Sequence, residues 1–175
     1  MVATREPTIP ALWKTLDLVY DSIRLADAKA GSILFMDGGI ATIISTRVVD
    51  AQTLLRGNYV LIVVIAIAAL LWLTSVYYSV LAVRPHLGNQ AGDSLLYFGD
   101  IARKYPTGFK EYTQAVESGL VSEQQVVEQI SMQIWTNARV AVRKHQNARI
   151  SMDCLMATVG LTLGSGLIYF IHSLI

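Results

Sequence analysis

Two long runs of apolar residues dominate the hydrophobic pattern of the chain. No charged residue lies between Arg56 and Arg84, and none follows Asp153. A helix needs roughly 20 apolar residues to cross the hydrocarbon core of a bilayer. Residues 59–83 and 154–175 have that length, so the pattern predicts two transmembrane helices, called span two and span three after their order in the chain.

A weaker apolar run at residues 31–49 predicts span one. Asp37 and Arg47 interrupt it. Arg47 lies near one end of the run, where a long basic side chain reaches the headgroups. A carboxylate at mid-bilayer is unfavourable, so we expect Asp37 to face other helices or water. Two interpretations of Asp37 stay open: a protonated, hydrogen-bonded group with no further role, or a functional polar group inside the bundle.

The remaining segments also show helical patterns. Residues 8–30 repeat apolar side chains at helical spacing and predict an amphipathic lead helix that continues into span one. Residues 84–152 predict short helices separated by proline and glycine, followed by a long helix. Ser122 and Gln125 form a capping-box pattern at its start. No proline or glycine follows until Gly160, so we expect this helix to continue into span three.

The basic residues predict the orientation in the membrane. Four of them precede residue 31 and eight lie between residues 84 and 152, against two in or near the tip between spans one and two. The positive-inside rule then places the N-terminus and residues 84–152 in the cytoplasm and the C-terminus outside. The predicted fold is an all-α, multi-pass membrane protein in one domain, residues 1–175, with an amphipathic N-terminal helix, three transmembrane helices and a helical cytoplasmic segment between spans two and three.

The composition agrees with a membrane protein. Hydrophobic residues make up 53% of the chain, charged residues 15%, and the mean hydropathy is +0.45, which is more apolar than a typical soluble domain. Lys and Arg total 14 against 13 Asp and Glu, so no basic surplus indicates nucleic-acid binding. Cys154 is the single cysteine, and the histidines have no cysteine at zinc-site spacing, so we expect neither an internal disulfide nor a metal.

Motifs of common enzyme classes are absent from the sequence. It has no P-loop, no G-x-G-x-x-G, no H-E-x-x-H and no G-x-S-x-G. We therefore expect no catalytic residue and no cofactor. Gly160 and Gly164 form a small-x-x-x-small pair in span three, a pattern that lets membrane helices approach closely. It favours helix packing, and we expect a homo-oligomer.

Two polar residues lie on the apolar face of the long helix. A helical wheel places Asn137 and Lys144 in the same arc as the apolar set Val126, Ile130, Ile134, Ala141, Ala148 and Met152. A buried amide or ammonium group without a partner is unfavourable. Asn137 and Lys144 are therefore expected to mark a site.

Two short strings are similar to those of a known family. They are A-D-A-K-A-G at residues 26–31 and Y-F-G-D-I-A at residues 97–102. Together with Asn137 and Lys144, they resemble the transmembrane effector domain of Pycsar, a bacterial anti-phage system. The resemblance extends from about Leu12 to the end of the chain.

The resemblance implies a partner pyrimidine cyclase that makes cCMP or cUMP during phage infection. It also implies that the effector lies in the bacterial inner membrane, binds this cyclic nucleotide and impairs the membrane, which gives abortive infection. The residues that match the family strings are the candidate ligand contacts: Asp27, Lys29, Tyr97, Phe98, Gly99, Asp100, Asn137 and Lys144.

The chemistry of a cyclic pyrimidine nucleotide fits these residue types. Its phosphate requires a cation, its ribose hydroxyl an acceptor, and its flat base an aromatic face and a polar edge. The candidates, in that order, are Lys144 or Lys29 for the phosphate, Asp100 for the hydroxyl, Tyr97 or Phe98 for stacking and Asn137 for the base edge.

Other interpretations stay open at this point. The two aromatic residues also suit core packing. The carboxylates suit ion pairs, Asp27 with Lys29 and Asp100 with a nearby basic residue such as Arg103 or Lys104. Two further function classes are a small constitutive ion channel or transporter subunit that uses Asp37, and a membrane adaptor whose middle helices bind another protein.

Overall fold

The computed structural model describes residues 8–55, 59–85 and 94–174, and all regular secondary structure in these residues is helical. The all-α prediction is therefore confirmed for them. The helices are α1 (Ile9–Leu55), α2 (Tyr59–Val83), α3 (Phe98–Lys104), α4 (Phe109–Gly119) and α5 (Glu123–Leu174).

Helix α1 joins the predicted lead helix and the predicted span one. It runs for 47 residues without a break. It also continues to Leu55, so the described part of the predicted tip between spans one and two is helical. Residues 56–58 lie outside the described residues.

Helix α5 is continuous over 52 residues. Its start is a capping box: the Gln125 amide nitrogen donates to Ser122 Oγ at 3.2 Å, and the Ser122 amide nitrogen donates to Gln125 Oε1 at 3.1 Å. This exchange satisfies backbone donors that the first turn leaves free. The prediction of one long helix that continues into the last apolar run is confirmed.

The chain divides into two compact units. The first consists of Met1–Arg24 and Pro85–Val142, and the second of Leu25–Arg84 and Arg143–Ile175. The first unit therefore contains α3, α4, the start of α1 and the first part of α5. The second contains α2 and the remainder of α1 and α5. The division into a single domain stays a prediction.

The buried face of α5 differs in part from the predicted one. Asn137 and Lys144 are buried, as expected, but Met152 is 41% exposed, so its place on the packing face was wrong. The buried positions advance in steps of three and four residues, which is the heptad spacing of coiled coils. A helical wheel drawn at 100° per residue departs from a heptad repeat by about 20° in every seven residues, so it misplaces positions far along a long helix. They are Ile130, Gln133, Asn137, Ala141, Lys144, Ala148, Ser151, Leu155 and Thr158.

Small side chains pack the helices of the second unit closely. Ala30 of α1, Ala82 of α2 and Ala148 of α5 form one buried apolar cluster. Alanine and serine at a helix contact let the backbones approach, and van der Waals packing then stabilises the pair.

Two of the described helices are long and apolar enough to cross a membrane. They are Tyr59–Val83 and the Glu123–Ile168 part of α5, and only 11% and 17% of their most apolar windows are buried within the chain. They contain span two and most of span three. The 31–49 stretch of α1 is not among them. Gly160 and Gly164 lie on the exposed side of α5, where a Cβ added at either position would meet no described atom within 4 Å.

Candidate functional site

A ladder of amide side chains lies on α5 in the first unit. Gln129, Gln133 and Asn137 follow one another at one-turn spacing, and Gln133 and Asn137 are 2% and 8% exposed. Asn137 Nδ2 donates to Gln133 Oε1 at 3.5 Å, and Gln133 Nε2 donates to Ser94 Oγ at 2.7 Å. These three residues, called the amide ladder below, place hydrogen-bond donors and acceptors in a buried position.

The amide ladder also holds the loop that precedes α3. The Leu95 amide nitrogen and Ser94 Oγ both donate to Gln129 Oε1, at 3.2 and 3.3 Å. From α4, the Tyr112 hydroxyl donates to the Leu95 carbonyl oxygen at 3.1 Å. The polar groups of this loop are therefore fixed by side chains that come from two helices.

Asp100 connects the same loop to a basic side chain. It is 5% exposed, and its Oδ2 accepts a hydrogen bond from the Ser94 amide nitrogen at 3.3 Å. Its Oδ1 accepts from Arg103 Nη2 at 3.1 Å, and the Arg103 side chain is 49% exposed. Asp100 thus makes the ion pair that its neighbours suggested, and it positions a guanidinium group at the surface of the first unit.

Tyr97 and Gly99 lie at the start of α3. Burial raises the pKa of the Tyr97 phenol, and the charges of Asp100 and Tyr20 add to that effect. Tyr97 is therefore a neutral aromatic group at physiological pH. A Cβ on Gly99 would lie 2.7 Å from Tyr97 Cε1, so Gly99 leaves room for this ring. The side chain of Phe98 lies outside the described residues.

In the second unit, Asp27 of α1 pairs with Lys144 of α5. Lys144 Nζ donates to Asp27 Oδ1. The Lys144 side chain is 5% exposed and that of Asp27 38%. The partner of Asp27 is therefore Lys144 and not Lys29, which is exposed and lies two residues further along α1. The buried ammonium group of Lys144 thus has a counter-ion at the edge of the unit, which makes its burial tolerable.

The second unit also contains a polar cluster around Asp37, which is 1% exposed. Ser75 Oγ and Asp37 Oδ2 are hydrogen-bonded at 3.1 Å. Ser151 Oγ lies 3.1 Å from Ser75 Oγ and 2.7 Å from Ser79 Oγ. Trp72 Nε1 donates to the Asp37 carbonyl oxygen at 3.3 Å. Asp37 therefore faces other helices, as its charge predicted. Ser75, Ser79 and Ser151 are called the serine cluster below.

The predicted ligand residues fall into two groups. Asp27, Lys29 and Lys144 belong to the second unit, where Asp27 and Lys144 meet. The other five belong to the first unit: Tyr97, Phe98, Gly99, Asp100 and Asn137.

Sequence reasoning missed several polar residues. Gln133 was absent from the candidates, although its amide lies four residues before that of Asn137 and four after that of Gln129. Ser75 and Ser79 repeat at the same spacing within an otherwise apolar run. The recurrence of polar side chains one turn apart was the signal for both clusters.

Comparison with known proteins gives one family. The model of the Pycsar effector protein domain matches residues 11–172, a range that includes both polar clusters. The Pycsar effector protein PtPycTM of Propioniciclava tarda is 28% identical over 152 residues, which cover 85% of this chain and 73% of that protein. No solved structure matches the chain at a significant level.

Proposed function

This chain belongs to the Pycsar effector family, and from that premise we propose that it is a membrane effector that binds cCMP or cUMP and then impairs the inner membrane. Membership of the family supports an anti-phage effector role. The partner that supplies the nucleotide is a pyrimidine cyclase. The observation that carries the proposal is the family match over residues 11–172.

The proposed topology has three spans, with the N-terminus and residues 84–152 in the cytoplasm. The feature of residues 31–49 that argues against a membrane span is the carboxyl group of Asp37. Asp37 is buried against Ser75 and Trp72 of α2 rather than exposed to lipid, and a polar residue that faces the interior of a bundle is compatible with a membrane span. Residues 31–49 are therefore compatible with a third crossing.

The amide ladder supports the proposal that the first unit binds the pyrimidine base. An amide side chain offers both a donor and an acceptor. Cytosine presents an amino donor and an N3 acceptor where uracil presents a carbonyl acceptor and an N3–H donor, and both bases carry the O2 carbonyl oxygen. Gln133 and Asn137 are therefore suited to either base, and the neutral ring of Tyr97 is suited to stacking on it.

The phosphate has two candidate cations. Arg103 is half-exposed and is oriented by Asp100 in the unit that contains the amide ladder. A guanidinium group matches a phosphate with two parallel hydrogen bonds. Lys144 is buried against Asp27, so a phosphate would have to replace a carboxylate there. We therefore propose Arg103 as the phosphate ligand in the first unit and keep Lys144 as the alternative to be tested.

Calorimetry of the detergent-solubilised chain with cCMP, cUMP and cAMP tests the proposal. We expect a pyrimidine nucleotide to bind more tightly than cAMP. Gln133→Leu and Arg103→Gln should each weaken binding by about tenfold or more, since each removes a hydrogen bond to a buried or charged partner. Lys144→Met should leave the affinity unchanged.

Gln114→Leu is the matched control, because Gln114 is an exposed amide on α4 of the same unit. It should bind like the wild type. Equal affinity of the wild type for cAMP, or no binding of either pyrimidine nucleotide, would contradict the proposal. Weaker binding by Lys144→Met with wild-type affinity in Arg103→Gln would move the phosphate to Lys144.

Gly99→Ala tests the stacking role of Tyr97. The new methyl group must displace the Tyr97 ring, from which it would otherwise lie 2.7 Å. We expect an unfolding free energy within about 1 kcal/mol of the wild type, because a side chain can move aside, but a nucleotide affinity lower by about tenfold. Gly31→Ala is the control, since its Cβ would meet no described atom within 4 Å. Unchanged affinity in Gly99→Ala would show that Tyr97 does not stack on the base.

A further inference from the structure

Asp37 is a buried carboxyl group without a basic partner among the described residues. Its side chain is 1% exposed, and its Oδ1 has no hydrogen-bond partner there. The hydrogen-bond partner of its Oδ2 is the Ser75 hydroxyl of α2. The Trp72 indole bonds the Asp37 backbone carbonyl oxygen, and α5 adds the Ser151 hydroxyl next to Ser75. None of these groups carries a charge. An ionised carboxylate in such surroundings is strongly unfavourable.

The hydrogen bonds of the serine cluster need one more hydrogen than its hydroxyl groups supply. Four close oxygen–oxygen contacts are present: Ser75 Oγ to Asp37 Oδ2 at 3.1 Å, Ser75 Oγ to Ser151 Oγ at 3.1 Å, Ser79 Oγ to Ser151 Oγ at 2.7 Å, and Ser151 Oγ to the Ser75 carbonyl oxygen at 2.9 Å. Each hydroxyl has one hydrogen. Three serines thus supply three hydrogens for four contacts.

A proton on Asp37 completes the network. Asp37 Oδ2 then donates to Ser75, Ser75 donates to Ser151, and Ser151 donates to the Ser75 carbonyl oxygen, while Ser79 donates to Ser151. Every contact has its hydrogen. With an ionised carboxylate, Ser75 donates to Asp37, and the contact between Ser75 and Ser151 has a hydrogen only if Ser151 gives up its bond to the Ser75 carbonyl oxygen.

We propose that Asp37 binds a proton and transfers it through the serine cluster, so that this cluster is a proton-transfer site of the effector. Asp37 gives its proton to Ser75 Oγ while Ser75 gives its own to Ser151. The Ser79 hydroxyl turns its hydrogen away from Ser151, Ser151 transfers the hydrogen it held to Ser79 Oγ, and Ser79 gives its own hydrogen to a water molecule. Asp37 and Ser79 are 1% and 0% exposed, so the proposal requires that nucleotide binding admit water to both ends of this path. Each hydroxyl gains one proton and loses one, and Asp37 remains a carboxylate until water supplies the next proton.

This inference rests on the proposed function, because nucleotide binding is the event that starts the proton transfer. Protons are then the ions that cross the membrane when the nucleotide binds. The path advances one helical turn along α2, from Ser75 to Ser79. Both residues lie in a helix that is long and apolar enough to span a membrane. Carboxyl and hydroxyl chains in such helices are typical of proton pathways.

Proton entry into vesicles tests the transfer. The full chain is reconstituted in phospholipid vesicles that contain either a pH-sensitive dye or a large self-quenching dye, and an inward pH gradient is imposed. With cCMP or cUMP we expect rapid acidification by the wild type and by the control Asp153→Asn, whose carboxyl side chain is 71% exposed. Asp37→Asn should be slower by at least about tenfold, because an amide does not release a proton.

The two dyes separate failure of the inference from failure of the proposed function. If the nucleotide releases the large dye equally from wild-type and Asp37→Asn vesicles, the membrane is damaged by another route and the inference is overturned, while the proposed function stands. If no nucleotide has any effect, the proposed function fails. Even then, acidification that needs no nucleotide and that Asp37→Asn abolishes would support the inference. If neither the wild type nor any variant acidifies the vesicles, the inference is overturned.

Infrared spectroscopy tests the bound proton without any flux. Asp37→Asn retains a donor to Ser75 in its amide group, so we expect this variant to fold. The wild type at neutral pH should show the carbonyl band of a protonated carboxyl group, and this band should be lost in Asp37→Asn but kept in Asp153→Asn. A wild-type spectrum without a band that depends on Asp37 would refute the bound proton.

Discussion

Asp27→Leu is expected to lower the free energy of unfolding by about 3 kcal/mol, near the lower end of the effect of breaking a buried ion pair. The variant leaves the Lys144 ammonium group, whose side chain is 5% exposed, without its counter-ion. The 38% exposure of Asp27 keeps the effect moderate, because water can enter at that edge. For a chain of this size the unfolding temperature should fall by roughly 6–12 °C, measured by circular dichroism in detergent.

The double variant Asp27→Leu/Lys144→Met is the control for this pair. It replaces both charges with apolar side chains, and it should recover most of the lost stability. Lys29→Met, at an exposed position two residues further along α1, should change the unfolding free energy by less than about 0.5 kcal/mol. Equal unfolding temperatures of the single and double variants would show that the ion pair does not hold α1 and α5 together in the second unit.

Ser151→Leu should lower the free energy of unfolding by about 4 kcal/mol, as the combined result of overpacking and of hydroxyl groups left without a partner. Ser151 is fully buried, and its Oγ contacts Ser75 and Ser79 of α2 at 3.1 and 2.7 Å. A leucine forces the two helices apart. Thermal unfolding in detergent measures the effect.

Two variants control for volume and for the hydroxyl group. Ala157→Leu adds a similar bulk to an exposed position of α5, and it should unfold close to the wild type. Ser151→Ala removes the hydroxyl without adding volume and should cost about 1 kcal/mol. Wild-type stability of Ser151→Leu would mean that α2 and α5 do not pack at these serines.

The sequence predicted the helices well because helix formation depends on neighbours within a few turns. The capping box at Ser122 and Gln125 and the lack of proline and glycine before Gly160 predicted a helix that reaches the last apolar run, and α5 is that helix. The apolar run at residues 59–83 predicted α2 with the same bounds. Its length and composition alone identify it as able to span a membrane.

The candidate site was predicted less completely, because a polar residue reveals that it needs a partner but not which partner it has. Lys144 and Asp27 were both candidates, yet the neighbour considered for Asp27 was Lys29. Its actual partner lies 117 positions away in the chain. A wheel drawn at 100° per residue placed Met152 on the packing face, but Ser151 occupies that face. The difference arises because the buried positions of α5 follow heptad spacing.

The sequence by itself determined that the chain is helical, where its apolar runs lie and which polar residues interrupt them, since periodicity, capping and hydropathy are local properties. Only the tertiary structure decided that Asp37 meets the serine cluster and that Ser94 meets the amide ladder. These contacts join residues that are 35 to 76 positions apart. A buried donor or acceptor takes the partner that packing brings within about 3 Å, and packing is a property of the whole fold.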